Sequence, residues 1–180
     1  MKFSELVDCF NSYVEDSDVD EEVLCSWFNE AQLDLALDFA PAKKHLYSDV
    51  IAGIGNAVPE DSLKILDGDD DGWYRNAMGE IVFSTSGEHV ITYRYLPDTL
   101  FSTTDNELQN RESYLPKALH YLMAIWAAYR YWLKEAEGDG EETSQALRFY
   151  QDYYSMKNTM RARTDNASGA EIRRWTIVDD

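Results

Sequence analysis

The chain has 180 residues, 34 acidic against 16 basic side chains, and a formal charge of −18. Such a length supports one domain with a substantial core. Such a charge repels nucleic-acid phosphates and anionic lipid and disfavours sequence-specific DNA binding.

No basic stretch followed by an apolar run opens the chain, so no signal peptide is expected. Eleven acids fall in the first forty residues against Lys2 alone, a pattern read as a well-solvated acidic helix pair. Phe3, Leu6, Val7, Phe10 and Val14 recur at helical spacing and predict a first helix over 3–14. The run "EDSDVD" breaks it. Asp18 with Glu21 three residues later is a helix-start signature. Leu24, Trp27, Phe28, Ala31 and Leu35 then carry a second helix over 19–40, which Pro41 stops. Cys9 and Cys25 lie inside these helices without metal-ligand spacing and are read as reduced, buried thiols.

A β-rich insertion is expected over 57–97. "VPEDSLKIL" reads as a turn and a short strand, "EIVFS" (80–84) as a second strand, and "HVITYRYL" (89–96) as a third. In the last, Ile91, Tyr93 and Tyr95 alternate with Thr92 and Arg94, the period of a half-buried strand. Ser86-Gly87 is expected to turn a hairpin between the second and third strands. Residues 97–114 are polar and read as an exposed loop.

The stretch "LHYLMAIWAAYRYWL" (119–133) dominates a helix expected over 115–137, with Pro116 in its first turn. Fifteen residues rise only about 22 Å, short of the roughly 30 Å hydrocarbon layer. His120 and Arg130 inside it would be expensive in lipid. A helix apolar on most sides is therefore central to a core or covered by more than one chain. "GDG" (138–140) breaks it, and a last helix is expected over 141–162. The chain thus reads as one domain over 1–163, mostly α in an α+β fold: about four helices, a small antiparallel insertion, and an extended C-terminal arm over 164–180.

Asp67, Asp69, Asp71 and Gly72 match the first half of an EF-hand calcium loop, but Met78 stands where its bidentate glutamate belongs, so a solvated turn is preferred. His45, His89 and His120 are scattered and read as packing or surface residues. The Asn166-Ala167-Ser168 sequon means little without secretion. No phosphate loop, zinc-protease motif or nucleophile elbow is present, so neither an enzyme nor a cofactor is expected.

Nine of the 24 aromatics crowd the last two helices. Ring-rich, partly polar surfaces are typical of interfaces, so Trp126, Tyr129, Trp132, Tyr150 and Tyr153 are candidates for protein contact. An ordinary core with a tyrosine-rich rim is the alternative. Arg173, Arg174 and Trp175 are candidates for an anchor in the arm, because Arg and Trp are enriched at hot spots.

Several segments together resemble one family. "LCSWFNEAQLDLA" (24–36) resembles the Trp-x-Asn-Glu-Ala helix near the start of tailed-bacteriophage head–tail adaptor (connector) proteins. "AVPEDSLKIL" (57–66) is similar to their Leu-Pro-x-Asp strand start. "ITYRYLPDTL" (91–100), a polar loop and "LPKALHYLMAIWAAYRYW" (115–132) follow in the family's order, and "GDGEETSQALRFYQDYYSMKNTM" (138–160) resembles its tyrosine-rich closing helix. The resemblance covers about residues 1–160; the tail 161–180 departs from it.

The resemblance implies a structural virion protein of the neck, assembled in the host bacterial cytoplasm, with no catalytic site. It implies a ring of itself, usually of twelve copies, between the portal protein and a tail, stopper or nozzle protein. Genomic DNA would pass without specific binding, and no membrane is involved. A closed ring uses two different patches per subunit, which suits a helix apolar on most sides. An acidic channel suits DNA that must slide. Two other readings compete. An acidic DNA mimic would inhibit a DNA-binding protein by charge complementarity, but its acids should spread along one continuous face. A small-molecule enzyme with an aromatic pocket lacks a recognisable polar constellation.

Overall fold

The computed structural model describes residues 1–14, 18–68, 72–95, 101–136 and 140–175, with side chains as far as 163 and without those of 67 and 68. The chain divides into two compact units, residues 1–39 with 99–180, and residues 40–98.

In the first unit, helix α1 (Phe3–Asn11) buries Phe3, Leu6 and Phe10. Its start is capped by Glu5, whose carboxylate accepts the Lys2 backbone N–H at 2.8 Å. Helix α2 (Glu21–Phe39) buries Leu24, Trp27, Phe28, Ala31 and Leu35, the periodic set expected. It begins two residues later than expected, with the Asp20 carbonyl accepting from Leu24 at 3.1 Å.

Residues 101–114 are mostly exposed, as expected of a polar loop, but Phe101, Leu108 and Ser113 are buried and tie the segment to the helices. The Phe3 N–H donates to the Arg111 carbonyl at 2.8 Å, and Lys2 bridges Glu112. Phe101 sits 5.2 Å from Phe3 and 6.3 Å from Phe28, ring to ring, and Leu108 is also buried. Two apolar residues in a polar segment are enough to dock it.

A single 3-10 turn, Lys117–Leu119, leads into helix α3 (His120–Glu135), which buries Leu122, Met123, Ala124, Ile125, Ala127 and Ala128. Helix α4 (Gly140–Trp175) continues past its expected end at 162, so residues 164–175 are helical and not extended. No proline interrupts them, and Ala167, Ala170 and Glu171 are good helix formers. Among the described residues no helix is long and apolar enough to cross a membrane.

The second unit holds six strands: β1 (Ala42–Val50), β2 (Gly55–Asn56), β3 (Ser62–Gly68), β4 (Trp73–Arg75), β5 (Ile81–Phe83) and β6 (Gly87–Tyr95). They form two antiparallel three-stranded sheets, ordered β1-β6-β3 and β2-β5-β4. Tyr47, Val50, Ile81, Phe83, Ile91 and Tyr93 form one core drawn from both. The sheet region therefore begins with β1, ahead of residue 57. The expected hairpin between β5 and β6 does not form: β5 pairs with β2 and β4, and β6 with β1 and β3. Gly87, at φ 133°, carries the chain from one sheet into the other.

All three histidines pack. His45 stands edge-on to Tyr47, His89 stacks on Phe83 at 4.3 Å, and His120 is buried with Nε2 2.7 Å from the Leu115 carbonyl. Asp69 and Asp71 of the calcium candidate lie outside the described residues; Asp67 stands in β3. Among the described residues no three His, Cys, Asp or Glu side chains gather as metal ligands would.

Candidate interaction surface

Helices α2, α3 and α4 are fastened by polar contacts drawn from the acidic helix. Glu30 accepts from Trp126 Nε1 and from Arg130, both at 3.2 Å. Asp34 accepts from the Tyr153 hydroxyl at 2.6 Å and from Lys157 Nζ at 2.7 Å. Lys157, itself buried, lies 3.3 Å from Asp38, which Arg161 approaches at 3.7 Å. Burial first, and the Asp34 hydrogen bond second, push the Tyr153 hydroxyl well above the ordinary phenol range. Burial, with Glu21 and Glu22 nearby, pushes the Cys25 thiol up to about 11, so it is inert near neutrality.

The Trp27-x-Asn29-Glu30-Ala31 segment now has a physical account. Asn29 makes both hydrogen bonds of an amide pair with the backbone of Phe101, accepting at 2.9 Å and donating at 2.8 Å. Glu30 serves α3, and Ala31 is fully buried, where a larger side chain would not fit. Sequence reasoning did not find the Asn29 clamp, because its partner lies 72 positions away.

Around α4 the packing leaves two flanks. One borders a groove of about 520 Å³ lined by Ser12, Tyr13, Ile125, Trp132, Gln145, Arg148, Phe149, Asp152 and Met156. The indole N–H of Trp132 is itself buried, with no hydrogen-bond partner among the described residues. The other borders a mostly apolar groove of about 270 Å³ formed by Tyr129, Leu133, Thr143, Ala146, Leu147 and Tyr150. Leu133 also lines a neighbouring hollow with Val23 and Trp27. Leu133, Leu147 and Tyr150 are exposed, at 48, 55 and 40%. At about 100° per residue, Arg148, Phe149 and Asp152 fall on nearly the opposite side of α4 from Thr143, Leu147 and Tyr150.

The candidate residues divide accordingly. Tyr129 and Tyr150 sit together at the second groove with ring centroids 5.3 Å apart, and Trp132 sits at the first. Trp126 is half-buried, held by Glu30 and 5.0 Å from Tyr153. Tyr153 is wholly buried and bound to Asp34, so it is a core residue of the helical unit and not a contact residue. Its face of α4 is the one turned to α2 and α3. Arg173, Arg174 and Trp175 are the last residues of α4, and their side chains lie outside the described residues. Leu133, Leu147 and Tyr13 were missed, though the first two stand at helical spacings from Tyr129 and Tyr150.

The family model of the SU10 adaptor protein matches residues 1–174. The chain belongs to that family. Membership in the SU10 adaptor family makes it a structural adaptor of a bacteriophage head–tail junction. The Trp27-x-Asn29-Glu30-Ala31 helix of this SU10 adaptor is thus a structural hub, tying α3 and the 101–114 segment to α2. No curated protein matches the chain.

Proposed function

We propose that this adaptor assembles side by side with copies of itself into a ring, most simply of twelve, beneath the portal of the virion neck. The ring joins the capsid to a tail or stopper protein and lines the channel through which genomic DNA leaves. The observation that carries this reading is the pair of grooves on nearly opposite flanks of α4. A closed ring is a heterologous assembly and needs two different patches on each subunit. Exposed Leu133, Leu147 and Tyr150 supply one, and the groove lined by Tyr13, Trp132, Phe149 and exposed Met156 supplies the other. Arg173, Arg174 and Trp175, at the end of α4, serve the portal contact.

Light scattering of the chain, alone and with portal protein, tests the proposal. A Leu133→Glu, Leu147→Glu double variant places two charges on the apolar flank and should abolish self-assembly while leaving the helical circular dichroism unchanged. Assembly unaffected by that pair, or a wild-type chain that neither oligomerises nor joins portal protein, refutes it.

A further inference from the structure

The sheet β1-β6-β3 has one face turned to the core and one turned outward. Along β1 and β6, Tyr47, Ile91 and Tyr93 point inward, so Lys44 and Leu46 share the other face with Arg94; Lys64 of β3 pairs in register with Arg94 on that same face. Leu46 is 53% exposed and Leu66, beside Lys64, 41%. On the inner face Lys43 is neutralised by Asp61 at 2.9 Å. Lys44 and Lys64 are exposed and have no ion-pair partner among the described residues. A chain of charge −18 thus places Lys44, Lys64 and Arg94 with exposed Leu46 and Leu66 on this sheet, against two acids, Asp67 in register with Thr92 and Glu88 near the start of β6.

We propose that this outward sheet face docks the acidic start of α2 on a neighbouring copy of the chain. The inference rests on the self-assembly reading above and adds a contact to it. The acids of α2 and of the residues just before it fall into two groups, apart from Glu21, which accepts from Gln109. Glu30, Asp34 and Asp38 are engaged by Arg130, Lys157 and Arg161. Asp18, Asp20 and Glu22 are exposed, without an ion pair among the described residues; half-buried Val19 lies between the first two and half-buried Val23 follows the last. Cations with leucines on one surface meet carboxylates with valines on the other, complementary in both charge and polarity. A nucleic-acid backbone would satisfy the cations but offers nothing apolar to Leu46 and Leu66.

The test mixes heavy-isotope-labelled and unlabelled copies, couples amines to carboxylates with a zero-length carbodiimide, and reads the linked peptides by mass. Mixed-isotope links from Lys44 or Lys64 to residues 18–22 are expected. Lys44→Glu with Lys64→Glu should lower assembly roughly tenfold, as should Asp20→Lys with Glu22→Lys, and mixing the two variants should restore it. An assembly that forms without those links, and ignores both charge swaps, overturns this contact and leaves self-assembly standing. A chain that never associates, even with portal protein, overturns both. Loss of DNA retention in the lysine variant with assembly unchanged makes the face a phosphate site and overturns the proposal.

Discussion

Lys157 offers the sharpest test of how the helical unit is held. Its ammonium lies 2.7 Å from the Asp34 carboxylate, 3.2 Å from the Asp34 carbonyl and 3.3 Å from Asp38, on a side chain only 10% exposed. Lys157→Ala leaves two carboxylates on one helix turn facing a cavity. Breaking a fully buried pair costs about 3–5 kcal/mol. Here Asp34 keeps the Tyr153 hydroxyl, Asp38 keeps Arg161, and the Asp34 side chain is 33% exposed, so the loss should be smaller. We expect about 2–3 kcal/mol, or roughly 5–10 °C in melting temperature for a chain of this size. Lys157→Met restores the packed stem but not the charge and should recover only about half of that loss. Urea unfolding followed by far-ultraviolet circular dichroism measures both, with an unchanged slope showing that the unfolded state is the same. A loss below about 0.5 kcal/mol for Lys157→Ala, or full recovery in Lys157→Met, would refute the reasoning.

Asn29→Ala removes both hydrogen bonds to Phe101 and leaves a backbone N–H and carbonyl without their partner, which should cost about 2–3 kcal/mol in the same urea assay. His120 gives a pH dependence. Its Nε2 donates to the Leu115 carbonyl while Nδ1 faces the Met1 ammonium, and burial first, with that ammonium a lesser cause, pushes its pKa down. The unfolded imidazole takes up a proton near pH 6.5, which the buried ring resists. This contribution is present above that value and lost as pH falls below it, so the urea midpoint should drop between about pH 7 and pH 5 and flatten in His120→Gln. Removing residues 164–180 should leave the helical melting transition in place, because the described anchors of α4 end at Arg161, and should weaken co-sedimentation with portal protein.

Much of this fold was legible because its helices bury clean periodic stripes. Leu24, Trp27, Phe28, Ala31 and Leu35 predict α2 and bury in it, and Pro41 stops it within two residues. Strand β1 was hidden because its inner face begins with Lys43, whose ammonium sits over the Tyr95 ring at 3.7 Å while reaching Asp61. A long cation lying on an aromatic ring acts as an apolar residue that composition counts as polar. The β5–β6 hairpin was misread for another reason: Ser86-Gly87 is a sound turn, but which strands pair is decided by a shared core of side chains distant in sequence. Tyr153 was misplaced because aromatic density along a helix says nothing of its phase against neighbours. Asp34, more than a hundred positions away, fixes that phase.

The phase of α4 also explains why a helix so rich in rings leaves apolar surface uncovered. Ala146, Tyr153 and Lys157 are its buried positions among the described residues, spaced seven and four apart, a single narrow stripe. Helix α3, in contrast, buries residues at nearly every position from Leu122 to Ala128. Within this helix pair the exposed apolar side chains thus belong to α4 and the last turn of α3, not to the greasy middle of α3. A helix fixed along one stripe by Tyr153 and Lys157 cannot rotate to hide Leu147 and Tyr150 without pulling those two groups off Asp34. Losing their charge-assisted bonds would cost more than burying two side chains returns, about 1.5–3 kcal/mol each for the bonds against the partial burial of chains already half covered. The same acidic residues that hold the helical unit together therefore keep Leu147 and Tyr150 exposed.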